Sequence, residues 1–534
     1  MTPTAATSDR FDGYVHAESG RLVDGQGRPL LMRGVGLGNW LLPEGYMWGF
    51  QDGPQSPRQI ETLVADLVGD ERAQHFWVGF QDSFVTEADI ARIAEEGFDH
   101  VRLPINSRIV MDDAGQILAR GIALIDRVIE WCRTHDLWVV LDLHGAPGGQ
   151  TGTNIDDSPR GRPELFEDDA YRSQTISLWR ALAEIYAGET VVAGYDLLNE
   201  PLPNEWQDVY ADRLVDLYRD LTAVIREVDP HHLIIYEGTH WSTNWSIFTE
   251  VWDSNSMLQF HKYWSAPDLP SIQRYLEVGR RLGLPIYMGE GGENNTDWLQ
   301  TAFQLYEDQG ISWNFWPWKK LDTLTSPCSV RPPHGWGAIV AVGAGTAAAP
   351  SAEAAWVTLS ALIDAMSMQA CDHHPEIVNA LMRRAPLRLP SSGFTFCGPG
   401  KSYSVQHGVP LRGFRSDDAV TIQVANETEP DELAFHHTNG APRSDREEFS
   451  VLLEPGDWVA YEINLTVESR HDVGLVASSV GEPALWVDGV RVAVVVDGDT
   501  GNWTGQGIRL VAGSHQVRIA AETASLAIRA LILR

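Results

Sequence analysis

Cysteine is scarce in this chain: four residues in 534, Cys132, Cys328, Cys371 and Cys397. They are too few and too scattered for a disulfide framework or a zinc site. Basic residues are under-represented as well, 40 Lys+Arg against 73 Asp+Glu, for a formal charge of -33. Such a surface repels phosphate backbones, so nucleic acid and anionic membrane are poor partners and a neutral ligand suits it better. No run reaches the 18 or more consecutive apolar residues of a membrane span. Met1 to Arg10 has neither the basic start nor the apolar core of an export signal. The expectation is therefore a cytoplasmic protein, or a secreted one if its N-terminus has been shortened. What the chain does hold is a hydrophobic content of 43% with 21% charged residues, ordinary for a globular protein, and 20 tryptophans. The indole offers a wide, stiff apolar face with one polar handle, suited to sugar rings as well as to cores. At 534 residues, two to four domains are expected.

Before residue 320, short β-rich runs recur near 30–37, 98–105, 137–144, 191–199, 232–238, 257–263, 284–290 and 311–318. Most are continuously apolar, as parallel strands buried on both faces should be. Segments of helical period fill several gaps, about 86–96, 121–135, 170–187, 207–228, 270–283 and 297–309. The first opens on a capping box, Thr86 to Asp89, and stops at Gly97. Eight β/α repeats predict an α/β fold, a (β/α)8 TIM barrel whose chemistry sits at the C-terminal ends of its strands. Residues 320–349 read as a long loop and 350–383 as a closing helical segment. From 445 onward only short alternating runs remain, separated by turns such as Asp488-Gly489 and Asp497-Gly498-Asp499. That pattern predicts a C-terminal antiparallel β-sandwich. The expected domains are 1–385 for the barrel, 386–404 for a linker and 405–534 for the sandwich.

Polar residues end the predicted strands: Arg102 on the second, His144 on the third, Asn199 and Glu200 on the fourth. His261 and Tyr263 end the sixth, Glu290 the seventh, and Trp313, Trp316 and Trp318 fall on the eighth. Residues i and i+2 share a strand face, so His261 and Tyr263 should point into one space. A barrel built for stability alone would place aliphatic groups there. Glu200 and Glu290 form the carboxyl pair that acetal hydrolysis requires, one protonating the departing oxygen and the other attacking the anomeric carbon or activating water against it. Glu200, amid apolar chain and beside Asn199 and Pro201, suits the acid/base role, because such surroundings favour a raised pKa. Glu290, within Gly289-Glu290-Gly291-Gly292, suits the nucleophile, with Tyr263 or Arg102 keeping it ionised and the glycines admitting a substrate ring.

Other chemistries fail on their spacing. Gly34, Gly36 and Gly38 resemble a dinucleotide loop, but the third required glycine is Asn39. Gly400-Lys401-Ser402 ends like a phosphate loop whose earlier glycine is Thr395. No H-x-H pair on an early strand supports a metal hydrolase, and no G-x-S-x-G elbow supports a serine triad. No cofactor and no metal are expected. The pairs His231-His232, His373-His374 and His436-His437 read as ordinary surface or turn histidines.

At these residues the sequence resembles glycoside hydrolase family 5, retaining β-glycosidases on a (β/α)8 barrel. The motifs occur in order: Arg33-Gly34-Val35 with Gly38-Asn39-Trp40, Val101 to Pro104, His144 to Gln150, Leu198-Asn199-Glu200-Pro201, His261-Lys262-Tyr263, Gly289-Glu290 and Trp313 to Trp316. The resemblance implies Glu200 as acid/base and Glu290 as nucleophile, with Arg102, His144, Asn199, His261, Tyr263 and Trp316 shaping the subsite of the cleaved sugar. The loop from His144 and the stretch Gly38 to Glu44 look most like the exo-β-1,3-glucanase and β-glucosidase branch, where a glutamate, here Glu44, contacts the terminal glucose. Three positions depart from that branch: Asn39 replaces a second glycine, Thr151 an asparagine, and Lys319 and Lys320 a loop acid past Trp318. Residues 405–534 are similar to carbohydrate-binding modules of the family 6 and 35 type, through Gly456 to Tyr461, the Trp486 to Gly489 turn, Thr500 to Trp503 and Gly513 to Ile519. Trp503 matches a position that lines the sugar cleft in such modules and equally suits a core.

The function expected is hydrolysis of terminal β-glucosidic bonds by double displacement, on a β-linked glucoside or oligosaccharide. The alternatives are an endo-acting β-glucanase and a non-catalytic sugar-binding barrel. Long inserts at 41–81 and 320–349 favour a walled pocket over an open groove.

Overall fold

The computed structural model describes residues 9–424, 433–443, 448–479, 482–496 and 502–534. Eight parallel strands close a barrel: β1 Arg33–Gly36, β2 His100–Asn106, β3 Trp138–Gly145, β4 Val192–Asp196, β5 Leu233–Glu237, β6 Ser256–His261, β7 Ile286–Gly292 and β8 Ser312–Trp316. Closure is made by β8 against β1, with Trp313 opposite Arg33 and Phe315 opposite Val35. All eight expected strands are present, with ends within three residues of those expected. Helices between them include α1 Pro57–Val68, α2 Asp70–Ser83, α3 Glu87–Glu95, α4 Ala119–Thr134, α5 Asp169–Tyr186, α6 Ala211–Val228, α7 Leu269–Leu282 and α8 Thr296–Asp308. The capping box predicted for α3 is formed, the Thr86 backbone N–H donating to Asp89 Oδ2 at 2.9 Å.

The N-terminal end of the barrel is mainly apolar, apart from the buried His100, whose Nε2 lies 2.7 Å from the Tyr287 hydroxyl. Met32, Trp138, Val140, Ala193, Leu233, Ile235, Met257 and Tyr287 form one buried cluster with Leu22 of a short hairpin, His16–Glu18 with Arg21–Val23, and with Val15 just before it. Burying a side chain such as Leu or Ile is worth about 1.5–3 kcal/mol.

The inserts have structure of their own. Residues 41–81 contain α1 and most of α2, and the expected loop 320–349 contains β10 Cys328–Val330 and α9 Trp336–Gly343. With β9 Lys319–Leu321 and β11 Asp372–His373, β10 makes a small three-stranded sheet. The helical stretch at 350–383 divides into α10 Ala352–Ala365 and α11 Pro375–Met382 around β11.

Two compact units result: Met1–Lys262 with Tyr275–Gly291 and Ser312–His373, and Tyr263–Arg274 with Gly292–Ile311 and His374–Arg534. The second unit thus takes α8 and α11 along with the sandwich, which differs from a boundary at 385. Inside it, Arg383 of the α11 end pairs with Glu307 of α8 at 3.0 Å, and the Phe396 N–H donates to Asp308 at 2.7 Å. Periodicity identifies a helix, but not which neighbour it packs against.

The expected linker 386–404 carries β12 Leu387–Pro390 and β13 Tyr403–Ser404, both paired into sandwich sheets. These strands are only four and two residues long, the first ending on Pro390, so no alternating run announces them. The remaining strands are β14 Thr421–Val424, β15 Phe449–Leu453, β16 Trp458–Leu465, β17 Ser469–Ser479, β18 Ala484–Val487, β19 Val490–Val492, β20 Val494–Val496, β21 Trp503–Leu510, β22 Gly513–Ala520 and β23 Leu526–Leu533. One sheet runs β14-β15-β23-β17-β21-β20, with β12 also on β23; the other runs β13-β16-β22-β18-β19. The Asp488-Gly489 turn has both residues at positive φ, 49° and 76°, as a two-residue hairpin between β18 and β19 demands. The Asp497 to Asp499 turn, and Thr500 and Gly501 of the module-like motif, lie outside the described residues. Trp503 is half-buried opposite Leu475 and Val496. Trp458 and Trp486 are also half-buried, with the Arg518 guanidinium 4.1 Å and the Arg491 guanidinium 5.9 Å from their ring centroids.

Candidate active site

Strand alternation carries a set of polar side chains to the C-terminal end of the barrel. Arg102 on β2 is fully buried and is the hub. Its Nε donates to Asp196 Oδ2 at 2.9 Å, Nη1 to Glu290 Oε2 at 2.8 Å, and Nη2 to Asn199 Oδ1 at 2.8 Å and Glu237 Oε1 at 3.2 Å. Nη2 also lies 3.2 Å from Asp142 Oδ2. A guanidinium with five donors in a fixed fork suits this convergence, where a lysine would not reach every partner. Four buried carboxyl groups around one cation cannot all ionise. Burial pushes Asp142 up to about 8 and Asp196 well above the ordinary range, with Arg102 opposing in both cases.

His144 ends β3 two residues after Asp142, on the same face. Its Nδ1 donates to Asp142 Oδ2 at 2.7 Å, and its Nε2 lies 3.3 Å from Asn199 Nδ2, which donates to it. Burial depresses its pKa to about 4, so the ring is neutral at pH 7 with the proton on Nδ1. The ring stacks on Trp316, centroids 5.4 Å apart and planes 8° from parallel. That indole fits because Gly36 and Gly38 lack side chains: a Cβ on either would stand 2.5 Å from it. Gln150 fastens the loop, its amide donating to the carbonyls of His144 at 2.7 Å and Asn199 at 2.9 Å.

Glu200 and Glu290 are buried, at 6% and 5% exposure, and each presents an oxygen to the other within 4.8 Å, with a His261 nitrogen equally near. His261 Nδ1 is 2.7 Å from Glu200 Oε1. Burial, reinforced by the Glu200 charge, lifts the Glu290 pKa above its ordinary value, while His261 and Arg102 pull it down. Burial would lower His261, but the Glu237 and Glu290 carboxylates outweigh it and hold that ring well above its usual pKa. The three groups stand close enough to share a cation, yet both carboxylates already have protein partners in Arg102 and His261.

Seven of the nine expected residues, Arg102, His144, Asn199, Glu200, His261, Glu290 and Trp316, come together here. Glu44 lies in the loop after β1 and is 2% exposed. Asn39 sets that loop: it stands at φ 65°, where asparagine is the non-glycine residue most at ease, and its Oδ1 accepts from Trp48 Nε1 at 2.6 Å and the Glu44 N–H at 3.2 Å. Tyr263 follows the end of β6 at His261, half-buried, so strand alternation does not extend to it. Trp313 and Trp318 are core residues, Trp318 Nε1 donating to Asp89 at 3.0 Å. Gly289 makes room for the Gln259 amide rather than a substrate, since a Cβ there would stand 2.1 Å from it. The departures resolve similarly. Thr151 is buried in its own loop, and Lys319 is buried with Nζ on Asp89 and the carbonyls of Phe84 and Met366. Only Lys320 stays half-exposed, 5.5 Å from the Tyr46 ring, whose hydroxyl accepts from Trp316 Nε1 at 3.1 Å.

Asp142, Asp196, Glu237 and Gln259 were missed from the sequence. Their signal is positional: Asp196 and Glu237 are the last residues of β4 and β5, and Asp142 and Gln259 precede site histidines by two. Of the histidine pairs read as surface or turn residues, His232 and His437 are buried, His232 with its Nδ1 2.5 Å from Asp229.

Residues 66–322 match the family model for cellulase, glycosyl hydrolase family 5. A β-xylosidase of Phanerodontia chrysosporium is 30% identical over 347 residues, 58% of this chain and 71% of that protein. The chain belongs to glycosyl hydrolase family 5. A probable glucan 1,3-β-glucosidase A of Neosartorya fischeri is 31% identical over 280 residues, 50% of this chain and 66% of that one, just under two thirds. A solved endogalactoceramidase aligns over 97% of this chain and 99% of its own, at 14% identity and a TM-score of 0.48. As a family 5 member the protein is an O-glycosyl hydrolase, a retaining β-glycosidase acting on a glycoside. No helix among the described residues is long and apolar enough to cross a membrane.

Proposed function

We propose that this family 5 hydrolase removes terminal β-linked glucose from oligosaccharides or glucosides, with Glu290 as nucleophile and Glu200 as acid/base. One observation supports the pair: each carboxylate brings an oxygen within 4.8 Å of the other, and each is held by a different partner, Arg102 for Glu290 and His261 for Glu200. Retaining enzymes keep the pair about 5–5.5 Å apart, whereas inverting ones leave about 6.5–9.5 Å for a water. Glu290, bonded by Arg102, faces the anomeric carbon and forms the glycosyl-enzyme. Glu200, bonded by His261, protonates the leaving oxygen and then takes a proton from the incoming water. Asn199, whose Nδ2 has a second N–H beyond the one on His144, offers a hydrogen bond to the sugar ring, and the stacked His144 and Trp316 rings wall that side of the site.

Terminal action rests on Glu44. A buried carboxylate that accepts from the hydroxyls of an end ring loses those donors if the chain continues past it. Leaving a buried polar group unsatisfied costs about 1–3 kcal/mol, and more when it is charged. Glucose as the sugar is supported by the glucan 1,3-β-glucosidase relatives, although a β-xylosidase is equally similar. A 2-deoxy-2-fluoro β-glucoside with a dinitrophenyl leaving group tests both points. It should inactivate the enzyme and leave its label on the peptide that contains Glu290. Labelling of another carboxylate overturns the assignment of roles, and inactivation by the xyloside alone overturns the sugar.

A further inference from the structure

One buried carboxylate, Glu237, touches both sides of this machinery without facing a substrate. It ends β5, is fully buried, and its Oε2 accepts the backbone N–H of Glu200 at 2.8 Å. Its Oε1 accepts from Arg102 Nη2 at 3.2 Å and from the Gln259 amide, and lies 3.4 Å from His261 Nε2. The Tyr218 hydroxyl of α6 fixes the same residue from behind, donating to its carbonyl at 3.0 Å. Glu200 itself stands at φ 45°, the left-handed region that a residue with a Cβ avoids. Strained backbone of this kind persists only where its surroundings over-determine it. The neighbours supply part of the hold: the Asn199 N–H donates to the Leu143 carbonyl at 3.1 Å and the Leu202 N–H to that of Gln150 at 3.2 Å. The bond at Glu200 itself comes from Glu237.

We propose that Glu237 is the positioning residue of the acid/base, holding the Glu200 backbone and the His261 ring so that the Glu200 carboxyl is delivered to the leaving oxygen. One of its oxygens fixes where the Glu200 side chain starts. The other sits beside the far nitrogen of the histidine that meets the Glu200 carboxyl, so both ends of Glu200 are referred to one group. Arg102, Asp142, Asp196, His261, Tyr218 and Tyr287 are charged or titratable groups around Glu237, and the Gln259 amide that donates to its Oε1 also lies 2.9 Å from His261 Nε2. The proposal rests on the roles assigned to Glu200 and Glu290 above.

An acid positioned badly matters in proportion to the need for its proton. Good leaving groups depart unaided, whereas poor ones wait for protonation. The experiment is a series of aryl β-glycosides of the accepted sugar, from dinitrophenyl to unsubstituted phenyl, run on wild type, Glu200→Ala, Glu237→Gln and Glu237→Asp. The burst of dinitrophenolate counts competent sites in each preparation, so misfolded protein drops out of the comparison. Glu237→Gln should keep kcat/KM per site within a few-fold on the dinitrophenyl glycoside and lose roughly 10–100-fold on the phenyl glycoside. Glu237→Asp, whose carboxylate is drawn back from the Glu200 N–H, should fall between Gln and wild type. An equal loss across the series, or no loss per competent site, overturns the proposal. If Glu200→Ala itself shows no leaving-group dependence, the assignment of the acid/base fails instead.

Discussion

The two ends of the barrel are built from the same eight strands and hold opposite contents. At the N-terminal end Ile235, Met257, Leu233 and Val140 close a dry cluster. At the C-terminal end Asp142, Asp196, Glu237 and Glu290 converge on Arg102 with two histidines beside them. A strand rises about 3.3 Å per residue, so two or three positions separate the regimes. On β5 the change runs from Leu233 and Ile235 to Glu237, all on one face. The apolar end gains from burial. The polar end bears desolvation of several charges, which only a dense hydrogen-bond network can offset. Stability and chemistry are thus assigned to different layers, and substitutions in each should have separable effects.

The largest effect belongs to Glu290. Glu290→Gly should lower turnover of aryl β-glycosides by roughly 10⁴-fold or more, and added azide should restore part of it while yielding the α-glycosyl azide. Near wild-type rates on an unactivated substrate would remove the nucleophile from this layer. Glu200→Ala should cost about 10²–10⁴-fold on unactivated substrates and much less on dinitrophenyl glycosides. The pH profile follows from the same pair. The nucleophile must be ionised, and burial raises its pKa, so kcat/KM should fall as pH drops through a value above the ordinary glutamate pKa of 4.5. An acid limb at or below 4.5 would mean that Arg102 and His261 prevail. Glu44→Gln should slow glucose release from a labelled oligosaccharide by roughly tens-fold and cleavage of a small aryl glucoside comparably, since the same terminal ring meets Glu44 in both. The smallest catalytic effect lies at the other end of the barrel: Ile235→Ala should cost about 2–5 kcal/mol of stability and leave kcat per folded molecule unchanged. A matching fall in kcat would show the layers to be coupled.

The sequence carried the barrel because parallel strands buried on both faces are continuously apolar, as most of the eight runs are, and helical segments fill several of the gaps between them. It carried the strand-end residues for the same reason, since a polar group closing an apolar run stands out. Lys319 was legible as a charge but not as a buried one, because its partner Asp89 is 230 residues away in sequence and close only in space. Glu237 was hidden in plain view: one acid among 73, it differs from the rest only in ending β5 opposite the Glu200 N–H. The strands in 386–404 escaped because two-residue and four-residue strands carry no period. Packing of α8 with the sandwich unit likewise depends on contacts that no local pattern encodes.

The proposed reaction consists of two displacements at one carbon, by Glu290 and then by water activated at Glu200. Proton NMR of the first-formed sugar, taken before mutarotation, tests it most directly. A β-linked substrate should yield the β-anomer first; the α-anomer appearing first would contradict the double displacement and the roles of both carboxylates.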